Sequence, residues 1–286
     1  VSAIRNLNVV VDAGNGMAGY TAPAVFSRMN VAVTQMYYEL DGTFPNHEAN
    51  PIDEANLADL KEMVKKKKAD IGLAFDGDAD RCFLVDEKGN AVNPSLLTAL
   101  IADRELQKKP GSPIIYNLIS SRAVKEVVEE NGGKPLRSRV GHSFIKAMMA
   151  ESGAIFGGEH SGHFYFADFW RADSGMLAAL HAIAALGTSE KTLSELLAPY
   201  ARYFASGEIN SKVSDSKLTM AGIKESYGSK PGVTTDQLDG LTVEGDTWWF
   251  NVRASNTEPL LRLNVEAKTK AQMEALRDEV LAVIRG

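Results

Sequence analysis

The sequence predicts an α/β protein. It reads as two tandem α/β domains with mixed, mostly parallel sheets, over residues 1–91 and 92–204, and a C-terminal α+β domain over 205–286. Three observations predict this. Apolar runs alternate with amphipathic helical stretches through most of the chain, the βαβ rhythm of a helix-covered, largely parallel sheet. The rhythm changes in the last stretch, where strand-like runs follow one another and a helix closes the chain. The length, 286 residues with 44% hydrophobic side chains, exceeds one small core and suits two or three.

The elements follow in order. Residues 7–11 form a strand, a Gly-rich turn leads to a helix near 21–29, and 31–38 is the next strand. Residues 54–68 read as a helix ending in Lys65–Lys68. Cations suit the negative end of a helix dipole, so this basic run is a solvated helix end rather than a binding patch. Residues 71–75 form the third strand. The second unit starts near Pro94 with a helix at 96–106, a KKPGSP break and a strand at 114–118. Ser120 or Ser121 caps the next helix and Gly132-Gly133 ends it. A helix at 143–152, with Ser143 as its cap, a short strand at 154–156, a long apolar helix at 174–186 and LSELLAPYARYF complete the unit. The last unit has strands at 241–243, 248–252 and 260–265 and a helix at 270–284. Trp248 and Trp249 are adjacent on a strand and face opposite sides, so at least one is core.

Composition narrows the function. A net charge of −6 argues against nucleic acid or an anionic membrane as partner. No apolar run approaches the ~20 residues that span a bilayer. VSAIRNLNVVVD has no signal-peptide pattern, and a lone cysteine, Cys82, fits a reducing cytoplasm. The chain opens on Val1 and enters its first strand almost at once, as a piece of a longer protein would.

Gly14, Gly16 and Gly19 form G-x-G-x-x-G between a strand and a helix, with Glu39 and Asp41 about twenty residues on. This is the dinucleotide fingerprint, and it would make the protein a nicotinamide-dependent oxidoreductase. The competing reading is a tight βα turn, with Asp12 and Asn15 crowding the pyrophosphate position.

GLAFDGDADRCFLVDE places Asp76, Asp78 and Asp80 at alternate positions. An EF-hand also spaces acids this way, and Glu87 would close it. Arg81 stands where that loop needs glycine, however, and strands flank it rather than helices. Three converging carboxylates raise one another's pKa unless a cation joins them. A hard cation such as Mg2+ prefers these oxygens and usually adds phosphate oxygens, which Arg81 could also hold.

GGEHSGH bends a polar backbone on glycines, and Glu159 and Ser161 suit sugar hydroxyls. Glu159, His160 and His163 could alternatively hold zinc, although no cysteine supports them. Arg253, Ser255, Asn256 and Thr257 sit between two strands, with Arg262 on the second, and read as an anion nest for phosphate, against the alternative of an ordinary polar hairpin turn. His142, at a helix start, is a structural histidine or a proton relay.

In register, these loops read DGDADR, GHS, GEHSGH and RASNTEP, joined by VVDAGNGMAG and FPNH. The set resembles the α-D-phosphohexomutases, most closely the bacterial phosphomannomutase/phosphoglucomutase branch, over essentially the whole chain. The resemblance implies Mg2+ on Asp76, Asp78 and Asp80, with Arg81 beside a phosphorylated serine. It implies sugar hydroxyls on Glu159 and Ser161, the non-reacting phosphate on Arg253, Ser255, Asn256, Thr257 and Arg262, and acid–base work for His142. It makes the Gly14–Gly19 turn a structural feature. Asn256 and His160 favour this branch over phosphoglucosamine mutase, the alternative within the family. The family has four domains, and this chain resembles the second to fourth. No stretch here resembles the T-A-S-H-N-P loop that carries the phosphoserine. The implied activity is interconversion of hexose 1-phosphate and hexose 6-phosphate, of mannose and/or glucose, through a hexose 1,6-bisphosphate. The chain alone is then expected to bind these hexose phosphates without turning them over.

Overall fold

The computed structural model describes residues 4–255 and 260–286. The first sheet has the order β2-β1-β3-β4, from β1 (Leu7–Asp12), β2 (Val31–Met36), β3 (Ile71–Phe75) and β4 (Cys82–Val85). The first three are parallel and β4 returns antiparallel to β3. Alternate side chains of a strand enter opposite faces. Leu7, Val9 and Val11 of β1 therefore join one core, while Val10 joins another with Leu60 and Val64 of α2 (Ala58–Lys67).

The second sheet, β6-β5-β7-β8-β9, is built from β5 (Pro113–Asn117), β6 (Lys134–Ser138), β7 (Phe156–Gly158), β8 (Phe164–Phe166) and β9 (Ala172–Asp173). It is mixed: β6-β5-β7 run parallel, and β8 and β9 are antiparallel additions. The apolar helix Gly175–Gly187 sends Ala178, Ala182 and Ile183 into the same core as Leu7, Val9 and Val11. The first two units thus share apolar packing, which fixes their loops relative to each other.

The third sheet is wholly antiparallel, β10-β14-β13-β12-β11, from β10 (Phe204–Lys212), β11 (Thr234–Asp236), β12 (Leu241–Glu244), β13 (Trp248–Ala254) and β14 (Leu260–Ala267). Helices Ser216–Gly228 and Lys270–Arg285 supply Ile223, Tyr227, Met273 and Val280 to the core beneath Phe250, Leu261 and Leu263. Trp249 is the buried member of the tryptophan pair and packs with Leu118 and Ile119 of the second unit. Its Nε1 donates to Glu266 Oε1 at 2.8 Å, and the amide of Arg122 donates to the same oxygen at 2.9 Å. The Arg122 guanidinium donates to Glu244 Oε1 at 2.8 Å and to the carbonyl of Gly245 at 2.9 Å. These bonds seat the third unit on the second.

Several expectations shift. The helix expected at 21–29 runs Ala18–Phe26, with Met17 at its cap. The helix expected at 54–68 opens as a 3-10 turn, Glu54–Leu57, because Asp53 accepts the Ala55 amide before α2 begins. Ser143 does not cap the helix His142–Ser152. Gly141 does, at φ 128°, a backbone value that favours glycine. Among the described residues, no helix is long and apolar enough to cross a membrane.

Candidate active site

The chain leaves the central β3 at Phe75 and returns on β4 at Cys82, its cross-strand partner. The loop between them is held tightly enough to place Ala79 at φ 64°, in the left-handed region. It gathers Asp76, Asp78 and Asp80 so that one oxygen of each lies within 4.8 Å of the others. Asp76 is buried and doubly bonded: its Oδ1 accepts the Arg81 amide at 3.0 Å and its Oδ2 accepts Arg81 Nε at 2.6 Å. Arg81 Nη1 also donates to Asn50 Oδ1 at 3.1 Å. Asp80 is less satisfied. Its Oδ1 is buried without a hydrogen-bond partner among the described residues, and His163 Nε2 stands 3.4 Å away. Burial, then the charges of Asp76, Asp78 and Asp173, push the Asp80 carboxyl up to about 7. An orphaned carboxylate oxygen among like charges fits a hard divalent cation. Asp173 widens the acid set, since Asp80, His163 and Asp173 also lie within 4.8 Å.

The glycine turn supports this loop from below. Gly14 donates to Asp12 Oδ1, Asn15 to the Tyr37 carbonyl, Gly16 to Ala13 and Met17 to Gly77. With these amides engaged, the turn presents no such cradle to a pyrophosphate. A Cβ on Gly16 would lie 2.6 Å from the Gly77 carbonyl oxygen, so this glycine is required by close approach to the aspartate loop. The FPNH segment braces the same turn. Asn46 donates to Asn15 Oδ1 at 2.8 Å, and His47 Nε2 lies 3.0 Å from Asp12 Oδ2. That bond is the main cause of a His47 proton held up to about 9, against the opposing effect of burial.

The GGEHSGH loop joins β7 to β8 and touches the aspartate loop directly. Cys82 N donates to the Gly162 carbonyl at 3.1 Å. Gly162 has φ 87°, and a Cβ there would meet Phe83 at 2.4 Å. Glu159 is buried: Oε1 accepts from Gly141 N at 3.0 Å, and Oε2 accepts from Tyr165 Oη at 2.7 Å. Burial, then the Glu159 charge, raise the Tyr165 hydroxyl well above its ordinary pKa, keeping it a donor. Ser161 Oγ lies 2.9 Å from His163 Nδ1. Burial lowers the proton affinity of both His160 and His163. The imidazole near the acids is His163, whose Nε2 lies 3.4 Å from Asp80 Oδ1, while Asp173 is paired with Lys146 Nζ at 2.8 Å; Glu159, His160 and His163 do not form a metal-competent group among the described residues. His142 is exposed at the first position of its helix, next to the Gly141 amide that binds Glu159.

At the other end of the site, Arg253 and Arg262 are directly opposed on β13 and β14. Like charges so placed destabilise a sheet. Glu208 on β10 offsets them, with Oε2 2.6 Å from Arg253 Nη2 and Oε1 3.2 Å from Arg262 Nη1. Arg262 Nη2 donates to Ser255 Oγ at 3.5 Å. Asn256 and Thr257 lie outside the described residues. His160, its proton affinity lowered first by burial, also feels the charges of Glu208 and Arg253.

Four contributors were not legible as site residues: Asn50, His163, Asp173 and Glu208. His163 was visible only as an alternative zinc ligand. Asp173 lies in no motif, and Glu208 lies in a stretch with no strand signal.

The fold and this loop set define a class: tandem α/β domains bearing an acidic loop and a glycine-flanked polar loop, followed by an antiparallel domain with paired arginines. The family models agree. Phosphoglucomutase/phosphomannomutase alpha/beta/alpha domain II matches residues 1–89, alpha/beta/alpha domain III matches 93–203, and the C-terminal domain matches 208–283. The chain belongs to the phosphoglucomutase/phosphomannomutase family. It is 39% identical to a phosphomannomutase of Escherichia coli over 98% of this chain and 63% of that protein. It is 38% identical to a phosphomannomutase/phosphoglucomutase of Pseudomonas syringae over 96% of this chain and 59% of that protein. A crystal structure of a phosphoglucomutase/phosphomannomutase family protein from Burkholderia thailandensis superimposes with a TM-score of 0.88 at 32% identity, over 98% of this chain and 60% of that one. The chain therefore spans about 60% of the length of these relatives.

Proposed function

We propose that this chain supplies the metal, sugar and distal-phosphate sites of a hexose-phosphate mutase. The reaction interconverts hexose 1-phosphate and hexose 6-phosphate, of glucose and/or mannose, through a phosphoserine on a segment outside these residues and a hexose 1,6-bisphosphate. The three units divide after residues 91 and 204. Asp76, Asp78 and Asp80 hold Mg2+, which offsets charge at the serine phosphate. Arg81 donates to that phosphate. Glu159 and Ser161 address the sugar ring, directly or, for the enclosed Glu159, by fixing the backbone around His142. His142, exposed beside this loop, moves protons at the sugar hydroxyls. Arg253, Ser255, Asn256, Thr257 and Arg262 anchor the phosphate that is not reacting, so the sugar presents its other end to serine. Positioning and charge stabilisation account for the catalysis. The compartment is the cytoplasm.

The observation that carries this reading is the Asp80 carboxylate: one oxygen buried without a hydrogen-bond partner among the described residues, set among acids beside the sugar loop. The engaged amides of the Gly14–Gly19 turn count against a nicotinamide cofactor.

A thermal melt tests the metal site. Asp80 has a folded pKa of about 7 against an ordinary 3.8, so the folded chain holds this proton more tightly than the unfolded one. Stability therefore falls as pH rises from about 4 through 7. Mg2+ binds only the ionised cluster and reverses that loss. Millimolar MgCl2 is expected to raise Tm by about 2–4 °C at pH 8, roughly 1 kcal/mol for a chain of this size, and to do little at pH 5. Asp80→Asn removes the difference. An equal shift at both pH values, or one that survives Asp80→Asn, contradicts the assignment.

A further inference from the structure

Resting on the reading of Arg253 and Arg262 as a phosphate seat, we propose that Glu208 is that seat's resident counter-anion: its carboxylate holds the two guanidinium groups until a sugar phosphate displaces it, and so sets how readily phosphate is released.

Each oxygen of Glu208 faces a different arginine, at 2.6 Å and 3.2 Å. A planar carboxylate spanning two guanidinium groups takes up donor directions that a phosphate would also use. The Arg253 and Arg262 Nε atoms are buried and unpartnered among the described residues, so the seat retains donors that Glu208 leaves unmet. The backbone places Glu208 there by a specific device. On β10, Ala205 pairs with Glu266 and Glu208 with Asn264, so three steps on β10 match two on β14. The extra residue is a bulge, and Gly207 within it has φ 70°. Without it, Glu208 would stand opposite Leu263 and point into the apolar core. With it, Glu208 shares a face with Arg262, Asn264 and, across the next strand, Arg253. Glu208 is a diagonal neighbour of Arg262, within reach of long side chains.

Charge gives the consequence. Two arginines and one carboxylate leave a single net positive charge for a phosphate dianion. Removing the carboxylate charge leaves two. The mutase cycle needs the bisphosphate to leave this seat, turn and re-enter with its other phosphate. A resident anion that reoccupies the arginines favours that exchange over tight retention.

The test is calorimetric titration of glucose 1-phosphate, and separately of inorganic phosphate, into the wild-type chain, Glu208→Gln and Arg253→Ala at fixed MgCl2. Glu208→Gln is expected to bind both ligands about tenfold more tightly, with the gain shrinking as salt rises. If the Gln variant fails to fold, Glu208→Ala is expected to tighten binding in the same direction. Unchanged or weaker binding in a folded Glu208 variant, with Arg253→Ala still impaired, overturns the counter-anion role and leaves the phosphate seat standing. Undetectable binding throughout, or full affinity in Arg253→Ala, overturns the seat and this inference together.

Discussion

Arg253→Ala is expected to weaken glucose 1-phosphate binding about 10- to 100-fold. A charge-assisted hydrogen bond is worth about 1.5–3 kcal/mol, and each 1.4 kcal/mol is about tenfold in affinity. The upper part of that range applies for two reasons. The Arg253 side chain is only 13% exposed, so its charge is poorly screened. Its removal also leaves Arg262 paired with Glu208 and the seat close to neutral. Arg262→Ala is expected to cost less, because that side chain is 30% exposed. The measurement is a calorimetric titration at constant MgCl2. Unchanged affinity in Arg253→Ala would remove the distal phosphate from this face.

Gly16→Ala is expected to unseat the aspartate loop. The added Cβ would lie 2.6 Å from the Gly77 carbonyl oxygen and 2.9 Å from Gly77 Cα, and neither is a flexible side-chain tip. Overpacking of this kind costs about 1–3 kcal/mol. It also breaks the Met17 amide bond to Gly77, which lies between Asp76 and Asp78. Tm should fall by several degrees, and the Mg2+-dependent rise at pH 8 should disappear with it. NADH titration separates the rival explanation. A dinucleotide turn would bind NADH in the wild type and lose it on substitution, whereas a structural turn binds NADH in neither protein. A Gly16→Ala chain with wild-type Tm and wild-type Mg2+ response would show that the turn does not support the loop.

The α/β units were legible wherever the physics is local. Ile71–Phe75 is buried throughout and reads as a strand with those bounds, because a strand covered on both faces is a continuous apolar run. Asp76, Asp78 and Asp80 were legible as a converging set because short residues separate them at a strand end. The third unit was less legible. Phe204–Lys212 is an edge strand with only Ser211 buried, so it carries no alternation to read. Its bulge at Gly207, which decides where Glu208 points, leaves no hydrophobic signature. The surroundings of Asp80 were hidden for another reason. His163 and Asp173, which stand close to it, come from the second unit and are invisible to any local pattern. Glu159 was singled out by its loop, but its burial and its bonds to Gly141 and Tyr165 come from packing that the loop does not encode.

The metal, sugar and distal-phosphate sites are proposed to lie on this chain and the phosphoryl carrier on a separate segment. The most direct test is conversion of glucose 1-phosphate to glucose 6-phosphate with MgCl2 and a trace of glucose 1,6-bisphosphate. It is run with the chain alone, and then with the chain joined to an N-terminal domain bearing a phosphoserine loop of the kind the family resemblance implies. No turnover is expected from the chain alone, and turnover is expected after joining, abolished when that serine is replaced by alanine. Robust turnover by the isolated chain would contradict it.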